Sequence, residues 1–148
     1  LRNEIGMYLE DMTIIKGTVL DNIILGHHHT TAEQILDISD EMGIDSFSSQ
    51  FSNGFFTQIS ETDTEMSYSS KKKILLLRAL VGGKRLLILE DPLDGMNDEF
   101  KTKMTNYLLK IKETTTIIIV SEDQMLTSNA DQHLHIEDGM VKNLFNKI

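Results

Sequence analysis

The sequence predicts an α/β domain with parallel core strands, a helical stretch in its first half and a C-terminal β-hairpin. Three observations carry this. Residues 86–89, LLIL, form the uninterrupted apolar run expected of a central parallel strand covered on both faces. Residues 114–121, TTTIIIVS, are β-branched nearly throughout and read as a second buried parallel strand. Asp138-Gly139 is a two-residue hairpin turn between extended segments at 132–137 and 140–144.

Composition bounds what such a domain does. The chain has 148 residues, enough for one domain or part of one, and its opening Leu leads us to expect a piece excised from a longer chain. A net charge of −9 argues against a nucleic-acid or anionic-membrane surface, which needs clustered cations. With no cysteine there is no disulfide framework and no thiolate metal site. No apolar run reaches 18 residues, so nothing in these residues spans a membrane as a helix.

In chain order, residues 4–9 read as a short strand ending at Glu10-Asp11. Residues 18–25 read as a helix stopped by Gly26, followed by His27, His28 and His29 in a polar loop. Three consecutive histidines cannot share one helix face, and no spaced ligand set completes them, so the loop is read as solvated. Thr31 opens a second helix with Ile35, Ile38 and Met42 on one side, and Gly43 ends it. Residues 46–51 suggest a further helical turn before the Asn53-Gly54 turn signal. Ser67, Ser69 and Ser70 precede a helix at 71–81 that is apolar almost all round beyond its first turn. Lys71, Lys72 and Lys73 on that first turn read as a solvated face. Gly82 and Gly83 stop the helix, and the strand at 86–89 leads to Glu90 and Asp91, with Pro92 barring its continuation. Residues 97–112 form an amphipathic helix with Phe100, Met104, Tyr107, Leu108 and Ile111 on one side. Glu122 follows the last core strand. Ligands of open α/β sheets sit at the C-terminal edge of the strands, so acids there point to a Mg²⁺ or polarised-water site.

The stretch MSYSSKKKILLLRALVGGKRLLILEDPLDGMN, residues 66–97, resembles the ATPase domain of ABC transporters from its LSGGQ signature through Walker B to the D-loop. MSYSS stands at the signature, LLILED at Walker B and DGMN at the D-loop. LRNEIGMYLEDMTIIKGTVLDNIILG resembles the exporter-type Q-loop region, GFFTQISETDTE the run leading into the signature, and the resemblance covers essentially the whole chain. It implies a P-loop NTPase-like fold, with residues 1–16 and 66–148 in the α/β core and about 17–65 as an all-helical subdomain. That subdomain would face a membrane domain, with Phe47, Phe51, Phe55 and Phe56 either as contact or as internal packing. The resemblance also implies ATP and Mg²⁺ as ligands, a second ABC ATPase domain and a transmembrane domain as partners, and a place on the cytoplasmic side of the membrane.

Carried over residue by residue, Glu90 stands where an Asp holds Mg²⁺ through water, and Asp91 where a Glu orients the attacking water. Glu10 stands where a Gln touches the metal and that water. Glu122 stands where a His contacts the γ-phosphate, and Ser67, Ser69 and Ser70 lie in the signature. The departures are as informative. An ionised carboxylate at 122 accepts hydrogen bonds and donates none, the opposite of what a phosphate oxygen needs. Both signature glycines carry side chains, Tyr68 and Ser69, where close backbone approach is required. No G-x-x-x-x-G-K-[ST] phosphate cradle occurs in the chain. The resemblance therefore implies a degenerate ATPase domain with weak or no hydrolysis; the alternative is an interaction or regulatory module that keeps the fold and has lost nucleotide binding.

Overall fold

The computed structural model describes residues 4–27, 29–44, 51–63 and 66–146, with side chains to residue 142. The expected turn at 46–51 and Phe47 lie outside the described residues, apart from Phe51. Three strands form the central sheet: β1 (Ile5–Tyr8), β4 (Leu86–Glu90) and β5 (Thr116–Val120), in the order β1-β4-β5 and all parallel. Ile5 stands opposite Leu86, and Leu86 opposite Thr116, so all three strands end at the same edge.

Between β1 and β4 the chain builds a layer over one face of this sheet. Strand β2 (Gly17–Thr18) leads into α1 (Val19–Ile23), α2 (Ala32–Glu41) follows, and a 3-10 turn at Gly54–Phe56 precedes β3 (Gln58–Ile59). Thr18 and Thr31 close reciprocal capping boxes with Asp21 and Gln34, which fixes where each helix starts. The region expected to be wholly helical also contains an antiparallel pair, Gly17–Ile59 and Thr18–Gln58. Strands of two residues are too short for any alternation to announce them.

Helix α3 (Tyr68–Leu80) is the spine of the covered layer. Ser67 caps it, one turn ahead of the expected start, and its side chains from Ile74 to Leu77 are buried. It lies so close to β1 that a Cβ on Gly6 would sit 1.9 Å from the Ala79 carbonyl oxygen; glycine is what permits the approach. Gly82 and Gly83, at φ +85° and +62°, end the helix as expected. Helix α4 (Asp98–Ile111), capped by Asn97, adds Phe100, Met104, Tyr107 and Leu108 to the core. A short helix, α5 (Gln124–Thr127), and the hairpin β6 (Gln132–Glu137) and β7 (Met140–Asn146) complete the chain. Among the described residues no helix is long and apolar enough to cross a membrane.

Two strand expectations need correction. β5 is not buried on both faces: it is an edge strand, with Ile118 51% and Val120 63% exposed. β4 is central, yet Leu86 and Ile88 are half-buried while Leu87 and Leu89 are fully buried. Its neighbours cover one face of the sheet and leave the other partly in solvent.

Candidate functional site

Parallel pairing brings the expected acids to adjacent strand ends. Glu10 lies two residues beyond β1, Glu90 ends β4, Asp91 follows it, and Glu122 lies two residues beyond β5. The Glu10 backbone N–H donates to Glu90 Oε2 at 3.0 Å, tying the ends of two strands together. Asp91 prolongs the β4–β5 ladder by donating its N–H to the Val120 carbonyl at 2.9 Å. It does so at φ 40°, a left-handed conformation rare outside glycine but more tolerable for Asp than for most residues. The chain then turns sharply, with the Asp94 N–H donating to the Asp91 carbonyl at 3.2 Å and Pro92 and Leu93 buried beneath. Glu122 is exposed. Its neighbour Asp123 is the engaged acid: it caps α5 and accepts from Lys101 Nζ at 2.9 Å, and that bond holds its carboxyl below the usual range. Among the described residues, no three or more carboxylates or histidines are grouped closely enough to hold a metal ion.

The N-terminal turn of α3 forms the neighbouring wall. Ser67 Oγ accepts the Ser70 N–H at 3.1 Å and lies 3.1 Å from Ser69 Oγ and 2.9 Å from Ser70 Oγ. Its hydroxyl is thus engaged as a helix cap, and Ser70 is buried. Tyr68 is 57% exposed, and its ring lies against the turn beyond Asp91: a Cβ on Gly95 would come within 3.0 Å of the ring.

Lys72 overturns the expectation of a solvated lysine face, being only 1% exposed. It occupies the side of α3 that looks onto the strand ends, where its Nζ donates to the carbonyls of Asp91 at 2.7 Å and Asp94 at 2.8 Å. The rings of Tyr8 and Tyr68 each lie 5.5 Å from the ammonium, within cation–π range. Burial lowers the Lys72 pKa, with Asp94, Glu10 and Asp91 opposing the shift. Burial, followed by the neighbouring Tyr68, pushes the Tyr8 phenol well above its ordinary range. Lys71 and Lys73 are half-buried, and Lys73 lies over the Phe100 ring.

Two further polar contacts escaped sequence reasoning. Asn22 is fully buried and bonds Ile15 through both ends of its amide, while Arg78 donates to the Asn22 carbonyl and side chain and to the Thr13 carbonyl. This network fastens the loop after β1 to α3. A single cation within the apolar part of that helix was the available signal. The histidine loop is also less free than expected: His27 Nε2 lies 2.7 Å from Nζ of buried Lys84. His29 is exposed as expected, and His28 lies outside the described residues. Of the phenylalanines, Phe51 and Phe55 pack against the core and Phe56 is 71% exposed.

Glu90 and Asp91 supply two adjacent carboxylates at this edge of the sheet. Mg²⁺ keeps most of its waters and is commonly held through one or two carboxylates plus substrate phosphates, a role open to Glu90 beside Asp91. Phosphate-binding residues of the cradle type are not in this sequence.

No family model matches the chain. Relatives nonetheless align over nearly all of it. ABC transporter B family member 13 of Arabidopsis thaliana is 26% identical over 141 residues, 95% of this chain and 11% of that protein. An uncharacterised ABC transporter ATP-binding protein of Bacillus subtilis is 24% identical over 94% of this chain and 23% of its own length. The alpha-hemolysin translocation ATP-binding protein of Escherichia coli is 25% identical, covering 95% and 20%. The chain thus spans between about a tenth and a quarter of these relatives. A bacterial Atm1-family ABC exporter solved with ATP bound superposes with a TM-score of 0.81 at 17% identity, over 93% of this chain and 24% of that one. In sequence over nearly its whole length, and in fold, this chain resembles the C-terminal part of an exporter-type ABC transporter ATPase domain.

Proposed function

We propose that this chain is part of the nucleotide-binding domain of an ABC transporter, and that its site binds Mg-ATP with weak or no hydrolysis. Glu90 would hold Mg²⁺ through water, Glu10 would stand beside it, and Asp91 would orient the attacking water. Bound Mg²⁺ would neutralise charge developing on the phosphates. A second ATPase domain and a transmembrane domain would be the partners, and the chain would lie on the cytoplasmic side of the membrane.

The observation that carries the degenerate reading is the wall at the N-terminus of α3. Where a phosphate would need bare backbone, the Tyr68 ring lies over Gly95 and the Ser67 hydroxyl is engaged as a cap. Glu122, where a His stands in the family, adds negative charge at the same edge and supplies no donor when ionised. Such an edge disfavours a triphosphate that arrives without Mg²⁺, which suits a half-site that pairs with a competent partner.

Calorimetric titration of Mg-ATP into the protein in its full natural length tests this. Saturable binding that weakens in Glu90→Gln, with phosphate release near background, is expected. Steady hydrolysis would overturn the degenerate reading. The absence of binding by a folded protein at millimolar nucleotide would replace it with an interaction module that keeps the fold alone.

A further inference from the structure

The buried lysine has a geometry that its role as a core residue does not explain. Its two acceptors are the carbonyls of Asp91 and Asp94, the first and last residues of the turn that leaves the acid-bearing strand. Asp91 also accepts the N–H of Asp94, so the Lys72 ammonium closes a loop of hydrogen bonds around that turn. A non-glycine residue at φ 40° costs energy and persists only where its surroundings hold it. Lys72 supplies that hold from α3, two residues beyond Ser70 of the serine cluster. Tyr68 covers the arrangement: its hydroxyl is 3.5 Å from the ammonium, and its ring spans from Lys72 to Gly95.

We propose that Lys72 is a positioning residue that locks the turn at residues 91–94 to the first turn of α3, so that a displacement at Ser67–Ser70 is delivered to the backbone of Asp91. The lock stands on geometry alone; its service to a nucleotide site rests on the reading given above. An ordinary solvated lysine would transmit nothing, because a flexible four-carbon stem in water has no fixed partner. Here the stem is buried and both acceptors are backbone atoms, so the two segments move together.

Peptide-level hydrogen exchange on the protein in its full natural length tests the lock. Hydrogen bonds to charged groups are the stronger ones, so Lys72→Met is expected to speed exchange at residues 91–96 about tenfold beyond any change at 74–80. Lys72→Arg, which can also donate to two carbonyls, should bring that segment back to within about threefold of the natural protein. Exchange at 91–96 that merely tracks 74–80 in Lys72→Met would overturn the lock. Should Lys72→Met fail to fold, Lys72→Gln, which keeps a polar stem and loses the ammonium, gives the same comparison with a smaller rise, and no rise there would overturn it equally. Saturating Mg-ATP should slow exchange at both 91–96, beside the acids that would hold Mg²⁺, and 67–70 in the natural protein, but only at 91–96 in Lys72→Met. Equal protection of both segments in that variant would overturn the positioning role. Protection of neither segment in the natural protein would remove the nucleotide reading and the positioning role with it, while the variant comparison still decides the lock.

Discussion

The two faces of the three-stranded sheet are built from similar residues and meet different surroundings. On one face stand Gly6, Tyr8, Leu87, Leu89, Ile117 and Ile119; α3 lies against this side, and Leu87 and Leu89 have no exposed surface. On the other stand Met7, Ile88, Ile118 and Val120, partly or largely in solvent. β-branched and aliphatic side chains suit either face, because they suit a pleated backbone. Burial is decided by whether another element arrives. The covered face receives one because Gly6 lets a helix come close and because Lys72, Arg78 and Asn22 give that helix polar anchors at both ends.

The comparison breaks most readily on the covered side. Leu89→Ala should cost about 2–5 kcal/mol in urea unfolding, since a fully buried side chain leaves a cavity as well as lost transfer energy. A loss under about 1 kcal/mol would mean that the covered face is loosely packed.

A titration sharpens the contrast. Tyr107, buried in the same core, has its phenol pushed from 10.0 to about 12, by burial first and by Glu41 second. The folded chain holds this proton more tightly than the unfolded one, so the associated stability is complete below pH 10 and is lost as pH rises toward 12. Unfolding free energies measured across that window should fall less in Tyr107→Phe than in the natural chain. Identical slopes would show that the phenol is not shielded.

The smallest effect is expected on the open face, where Ile118→Thr keeps β-branching and should change stability by no more than about 0.5 kcal/mol. A loss comparable to that at Leu89 would mean that Ile118 is covered in solution.

How much of this was legible in the sequence depends on range. Helix starts at Thr31 and Asn97, the stop at Gly82-Gly83 and the Asp138-Gly139 turn were readable because each depends on neighbours a few residues away. The strand-end acids were readable because any parallel strand delivers its next residue to the same edge. Lys72 was not. Three lysines in a row describe a wet surface, and the acceptors that make one of them a core residue lie 19 and 22 positions further along. Arg78 and Asn22, 56 positions apart, were hidden for the same reason. The open face of β5 was misread because an apolar run records what a strand tolerates and leaves its cover unstated.

The bond from Glu10 to Glu90 uses the main-chain N–H of the first residue and the carboxylate of the second. Drift therefore acts unequally on the two positions. Residue 10 can exchange Glu for Gln, or for any side chain other than proline, and still hold the strand ends together, whereas residue 90 must retain an acceptor of that reach. A lineage carrying this fold is free to rewrite the charge at one end of the contact while inheriting its geometry unchanged.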